Sequence, residues 1–222
     1  MTERDFIPSE NYKVLTQGSV TYQSPSNIAL VKYWGKHGEQ LPQNPSISFT
    51  LSNCHTTTTL SYKKATSATG EIEFDVLLDG KSEPDFKPKI AKFFERIEKY
   101  IPFVKEYSYV IDTANSFPHS SGIASSASGM SALALCLMEI ERQSNPDMTP
   151  AYFLQKASFL ARLGSGSACR SLDGPLVVWG NHKEISNSSD IFGTSYNGNV
   201  HDNFKNYQDT VLLVDKGEKQ VS

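Results

Sequence analysis

Ser120, Ser121, Ser125 and Ser126, with Pro118 and Gly122, sit in the run NSFPHSSGIASSASGMSALALCLMEIE from Asn115 to Glu141. This run sets a serine- and glycine-rich loop directly on the start of a helix. Small residues let backbone N–H groups converge, and the unpaired amides of a helix's first turn, together with its dipole, form an anion site. The chemistry they suit is phosphate binding. Ordinary N-capping and turn formation use the same residue types, so the loop alone leaves both uses open. It is neither a Walker A loop nor a dinucleotide fingerprint, because no Gly-Lys-Ser/Thr ends it and GxGxxG is absent.

Two further clusters carry charged and hydrogen-bonding groups. In SPSNIALVKYWGK, Ser24 to Lys36, an extended strand would put Lys32, Trp34 and Lys36 on one side and Tyr33 on the other. A strand with one buried aromatic and solvated lysines would read the same way. In RLGSGSACRS, Arg162 to Ser171, Ser165 and Ser167 offer hydroxyls, Gly166 exposes backbone, and Arg170 brings a planar fork of donors suited to carboxylate or phosphate. Pairing of Arg170 with a structural aspartate is the alternative. Cys169 has no local histidine or base, so a nucleophilic role is disfavoured.

These groups need elements to hold them. Strands are expected at Ser19 to Gln23 and, after a turn at Ser24 and Pro25, at Asn27 to Trp34. Further strands are read at Ser46 to Leu51, Thr56 to Tyr62 and Glu71 to Leu78, the last ending in an Asp79-Gly80 turn signal. Ile90, Phe93, Phe94, Ile97 and Ile101 recur at helical spacing, and a strand at Tyr107 to Thr113 then leads into the serine loop. Ala127, Met130, Leu133, Ala134, Leu137 and Met138 predict a buried helix face with the methionines as core filler. Thr149 is a candidate N-cap for a helix that stops at Gly164, followed by a strand from Pro175 to Trp179. Residues 187–206 read as loop, and Thr210 to Val214 as a strand entering a second unit. Runs of strands with interspersed helices indicate an α+β fold.

At 222 residues, with 38% hydrophobic content, the chain can build one substantial core or one domain and part of another. A formal net charge of -3 argues against nucleic acid or a membrane surface as partner, since both call for a basic stripe. No apolar stretch approaches a membrane span and the polar N-terminus lacks a secretory h-region, so the cytoplasm is the default reading. Cys54, Cys136 and Cys169 are three in number, without CxxC or zinc-type histidine spacing, and no metal ligands are assigned.

The three clusters together resemble the mevalonate diphosphate decarboxylases of the GHMP kinase superfamily, with KYWGK and GSGSACRS the specific strings. The resemblance runs from about Ser19 to Gly180. It implies a ribosomal-S5-like N-terminal domain over residues 19–206, preceded by a polar extension over 1–18. Residues 207–222 would be only the start of a ferredoxin-like C-terminal domain, truncated. It also implies ATP-dependent decarboxylation of mevalonate 5-diphosphate, with ATP and Mg2+ as cofactors and a homodimer by analogy. A C3 kinase without decarboxylation, or a non-catalytic fragment that keeps the clefts, are the other readings.

Residue by residue, the resemblance gives substrate binding to Asn27, Tyr33, Trp34, Gly35, Lys36, Ser165, Gly166, Ser167, Ala168, Cys169 and Arg170. Arg170 would grip the C1 carboxylate and Lys32 would act in the active centre. ATP binding falls to Pro118, Ser120, Ser121, Gly122, Ser125 and Ser126, with Ser126 nearest the transferred phosphoryl group. Lys89 lies about where the family often has a diphosphate-binding arginine. The family's catalytic aspartate belongs to its C-terminal domain, and neither Asp173 nor Asp215 matches it by motif.

Overall fold

The computed structural model describes residues 1–8, 15–66, 70–118, 122–210 and 212. Its centre is a mixed sheet built around one long strand, β4 (Ser46–Lys64). β1 (Gln17–Val31) pairs antiparallel along β4, while the opposite edge of β4 is shared by β7 (Tyr107–Asn115) and β8 (Leu176–Trp179). β5 (Phe74–Leu78) runs parallel to β7, and the short β6 (Lys81–Ser82) and β9 (Thr194–Ser195) close the two ends. A separate small hairpin pairs β2 (Lys36–His37) with β3 (Leu41–Pro42). Among the described residues, the α-helices are α1 (Lys87–Ile97), α2 (Ser125–Ser144) and α3 (Pro150–Gly164). The α+β class expected from the sequence is the one that forms.

The β1–β4 pair departs from the sequence reading in an instructive way. A turn was expected at Ser24 and Pro25, and a break between Leu51 and Thr56. Both strands instead run through, and the irregularity is absorbed as a register jump from Pro25 opposite His55 to Ser26 opposite Leu51. Proline lacks an N–H and is tolerated on an edge strand at such a bulge. The extra residues of β4, 52–54, bulge outward and let one strand serve two neighbours. Asp79 and Gly80 both have positive φ, 51° and 73°, as a tight hairpin turn requires.

α2 is buried nearly all round. Met130 and Met138 are core residues as expected, and Cys136 lies so close to the sheet that its thiol donates to the Thr58 carbonyl at 3.3 Å. Small residues on α2 permit this approach, α3 packs against α2, and α1 packs against α3. Thr149 caps α3 by accepting from the Tyr152 amide. Ile90, Phe93, Phe94 and Ile97 of α1 face the core as their spacing predicted.

The first residues are less detached than their polar composition suggests. Glu3–Phe6 forms a 3₁₀ helix, and Phe6, 0% exposed, stacks on Phe159 at 4.6 Å between ring centroids. A single buried aromatic within a polar stretch gives no periodicity, so sequence patterning misses it. The strand expected at Thr210 to Val214 falls mostly outside the described residues, as do Asp215 and most of the expected start of a second domain.

Candidate functional site

The serine-rich loop, the KYWGK segment and the GSGSACRS run meet because SPSN ties them together. Ser24 Oγ, on β1, donates to the Ser171 carbonyl, and Ser26 Oγ donates to the Ile123 carbonyl of the serine loop. Asn27 Nδ2 donates to Ser171 Oγ at 2.6 Å and to the Ser167 carbonyl at 3.4 Å. The side-chain nitrogen of Asn27 therefore holds the loop, where a substrate contact was expected.

KYWGK is not a strand. β1 ends at Val31, and residues 32–35 form a connection fixed by Asn44, whose amide donates to the Lys32 carbonyl while its Oδ1 accepts from the Trp34 amide at 2.7 Å. The expected alternation of faces is lost with the strand. Lys32 is exposed, and Trp34 is 81% exposed. Tyr33 instead packs edge-on against Trp179, 4.8 Å between centroids.

Arg170 stands beside this aromatic pair, its guanidinium 5.6 Å from the Tyr33 ring and 5.8 Å from that of Trp179. It is 2% exposed, and one Nη donates to Ser46 Oγ. Among the described residues Arg170 has no acidic partner, and its Nε is left without an acceptor. A structural aspartate, the alternative, does not pair with it among the described residues. Burial pulls its pKa below the ordinary arginine range, yet a guanidinium stays charged at neutral pH. A buried cation with unused donor capacity has the chemistry to accept an anion.

The GSGSACRS run forms a 3₁₀ turn, Gly166–Arg170, capped onto the end of α3. Gly166 is needed for close approach, since a Cβ there would lie 2.7 Å from the Trp179 ring and 3.2 Å from Lys36 Cδ. Ser165 and Ser167 are half-open, while Ala168 and Cys169 turn inward, so the latter two offer a ligand no side-chain contact. The Cys169 thiol donates to the Gly166 carbonyl, and burial raises its pKa to about 12. Burial likewise raises Cys136 to about 12. Native protein treated with iodoacetamide is expected to label at half-buried Cys54 alone, leaving Cys136 and Cys169 unmodified. Mass spectrometry of the alkylated peptides checks this.

The serine-loop side of the site lies at the start of α2. Ala124 occupies the N-cap in the left-handed region, φ 53°, and no side chain caps the helix. Ordinary serine capping is thus not the use made of this loop among the described residues. Ser120 and Ser121 lie outside them. Beside Ser125 and Ser126 opens a cavity of about 230 Å³, where apolar groups such as Val76, Ile90 and Ile111 meet the polar side chains of Thr56, Thr58, Asp85, Lys89, Thr113 and Asn115.

Lysines join the two halves. Lys89 on α1 donates to Ser126 Oγ. Its pKa is lowered by desolvation and then by the charge of Lys36, and Lys36 is lowered by desolvation and then by Arg96. Lys89 thus feels the charge of Lys36, and Lys36 that of Arg96. The sequence reading missed Arg96 and Trp179. Arg96 follows Lys89 by seven residues, two turns along one face of α1, which was a usable signal. Trp179 lies in a four-residue apolar strand and looks like plain core.

An anion between these ammonium groups requires both protonated. Because their pKa values lie below the free-lysine value of about 10.4, inorganic pyrophosphate affinity is expected to decline with rising pH earlier than solvated lysines would dictate. Lys89→Met should weaken binding and flatten that decline. Calorimetric titration across the alkaline range measures it.

Residues 24–190 match the domain described as the diphosphomevalonate decarboxylase-like N-terminal domain. The chain belongs to the diphosphomevalonate decarboxylase family. It is 37% identical over 171 residues to the diphosphomevalonate decarboxylase of Ganoderma lucidum and 34% over 176 residues to that of Bos taurus. Each match covers 72% of this chain and 40% of the relative, so the matched region spans less than half the length of these curated relatives. Among solved structures, the mevalonate diphosphate decarboxylase of Enterococcus faecalis is 30% identical with a TM-score of 0.64, covering 81% of this chain and 52% of that one. Another family structure, 30% identical with a TM-score of 0.62 and covering 81% of this chain and 51% of that one, is described as MDDEF in complex with MVAPP, AMPPCP and magnesium. No helix among the described residues is long and apolar enough to cross a membrane.

Proposed function

We propose that this chain supplies the substrate- and nucleotide-binding half of an ATP-dependent decarboxylase that converts mevalonate 5-diphosphate to isopentenyl diphosphate. The observation that carries the reading is Arg170, a buried guanidinium with no acidic partner among the described residues, facing the aromatic wall of Tyr33 and Trp179. The substrate's C1 carboxylate would complete its donor set. Lys89 and Lys36, the latter under the charge of Arg96, would neutralise the diphosphate, with half-open Ser165 and Ser167 along the substrate between. Lys32 enters on the family resemblance alone.

ATP would place its base in the cavity and its phosphates on the amides of the α2 first turn, with Gly122 and Pro118 shaping the loop. No group of three acidic, histidine or cysteine side chains suited to a metal occurs among the described residues. Magnesium therefore fits as a companion of the nucleotide phosphates, with the Ser126 hydroxyl at hand, and would supply charge neutralisation during transfer. Ser126 and Lys89 would hold the γ-phosphoryl group toward the substrate's C3 oxygen.

The chemistry then balances as follows. The C3 oxygen takes the phosphoryl group from ATP and gives up its proton to a base. The C3–O bond breaks with loss of phosphate, the C1–C2 electron pair becomes the C2–C3 double bond, and carbon dioxide leaves. Asp173 is an unsuitable base, since its carboxylate is held by the Gly174 amide and the Ser195 hydroxyl. The base would come from the part of the family's length that this chain does not span.

A coupled assay of the intact gene product with mevalonate 5-diphosphate tests the reading. ADP and carbon dioxide in equal amounts support the decarboxylase. ADP without carbon dioxide would make it a C3 kinase, and binding without turnover would leave a non-catalytic receptor.

A further inference from the structure

Arg162 opens the GSGSACRS cluster but has no part in the site described above. It is 0% exposed and all three of its guanidinium nitrogens are engaged by different stretches of chain. Nε donates to the Ile191 carbonyl at 2.8 Å, one Nη to the Glu39 carbonyl, and the other to Glu3 Oε1 at 2.8 Å. Glu39 lies in the turn of the β2–β3 hairpin, whose first strand begins with Lys36. Lys36 itself reaches across that turn to Gln40 Oε1.

On its far side Arg162 is held by the N-terminal 3₁₀ helix. Glu3 Oε2 accepts from the Tyr100 hydroxyl at 3.1 Å, and Phe6 anchors the helix by stacking on Phe159 and meeting Phe192 edge-on at 6.2 Å. The guanidinium also lies 5.2 Å from the Phe159 ring centre. One rigid connection thus runs from Glu3 through Arg162 to the hairpin turn.

We propose that the N-terminal helix is a brace that positions Lys36, with Glu3 and Arg162 as positioning residues for the phosphate-binding cluster. The proposal rests on the reading of Lys36 as a diphosphate ligand. A two-residue strand pair has little intrinsic stability, so the hairpin depends on what grips its turn. Glu3 is the ion-pair partner of buried Arg162 among the described residues, and truncating one side of such a pair leaves the other charge uncompensated.

Arg162 is too deeply buried for its own replacement to be informative, so the test uses Glu3, whose side chain is 35% exposed. In Glu3→Ala, amide hydrogen exchange over residues 36–42 is expected to accelerate roughly tenfold, the size of one charge-assisted hydrogen bond, while β4 and β7 keep their protection. Affinity for mevalonate 5-diphosphate is expected to fall by a similar factor. Glu3→Gln, which keeps an acceptor, should recover part of both, and Phe6→Ala should reproduce both losses by removing the anchor. Unchanged exchange in the hairpin of Glu3→Ala overturns the brace. A loosened hairpin with wild-type affinity overturns its role in positioning Lys36. Absence of binding by the wild-type protein would instead count against the functional reading, and the exchange data would still decide whether the brace exists.

Discussion

Arg170→Ala in the intact protein is expected to weaken mevalonate 5-diphosphate binding by on the order of 2 to 5 kcal/mol, the range found when one side of a desolvated charge pair is truncated. The reason is local. Arg170 is buried against Tyr33 and Trp179, and Ser46 is its hydrogen-bond partner among the described residues, which leaves the rest of the fork for a ligand. Arg170→Lys should be intermediate, because an ammonium keeps the charge but loses the two-point geometry. Arg170→Met separates binding from folding. It removes a buried charge that lacks a counter-ion, so the ligand-free protein should melt no lower than wild type while affinity collapses. Calorimetry and thermal denaturation on the same preparations measure both. Near wild-type affinity in Arg170→Ala would remove this residue from the site.

The second large effect concerns stability. Lys156 on α3 and Glu141 on α2 form a buried ion pair, 2.7 Å between Nζ and Oε1, with side chains 0% and 4% exposed. Replacing Lys156 by methionine would remove this buried ammonium from the Glu141 carboxylate in the interface between the two helices. The expected cost is about 3 to 5 kcal/mol. For a protein of this size that lowers the melting temperature by roughly 6 to 20 °C. Combining Lys156→Met with Glu141→Leu should recover most of the loss, since two apolar groups of similar volume can replace a buried pair. Thermal melts of the two single variants and the double variant provide the cycle. A single-variant loss below about 1 kcal/mol would mean that the pair contributes no more than an exposed one.

Much of this architecture is legible in the linear sequence because local chemistry decides it. Apolar spacing at 3.6 residues marks the buried faces of α1 and α2, Thr149 and Pro150 mark the start of α3, and Asp79-Gly80 marks a turn that only permissive backbones make. The three clusters that meet in the site were also visible as strings of small, basic and hydroxyl-bearing residues. Their order along the chain carried the family resemblance.

What the sequence could not supply is the outcome of competition between distant segments. Whether Ser24-Pro25 turns or runs on depends on β4, which offers a partner on both sides of the bulge and so makes extension cheaper than reversal. Whether Lys32, Tyr33 and Trp34 alternate depends on Asn44, whose side chain takes over the backbone groups that a neighbouring strand would have paired. Arg170 could have been paired or unpaired, and packing against Trp179 and Ser46 leaves it without an acid among the described residues. Phe6 became core because Phe159 and Phe192 leave room for one more ring. By itself, then, the sequence determined most of the helices and strands, the small-residue loop ahead of α2 and the family. Tertiary structure alone decided which polar groups are consumed inside the protein and which remain for a ligand, because burial and hydrogen-bond satisfaction are set by residues far apart in the chain.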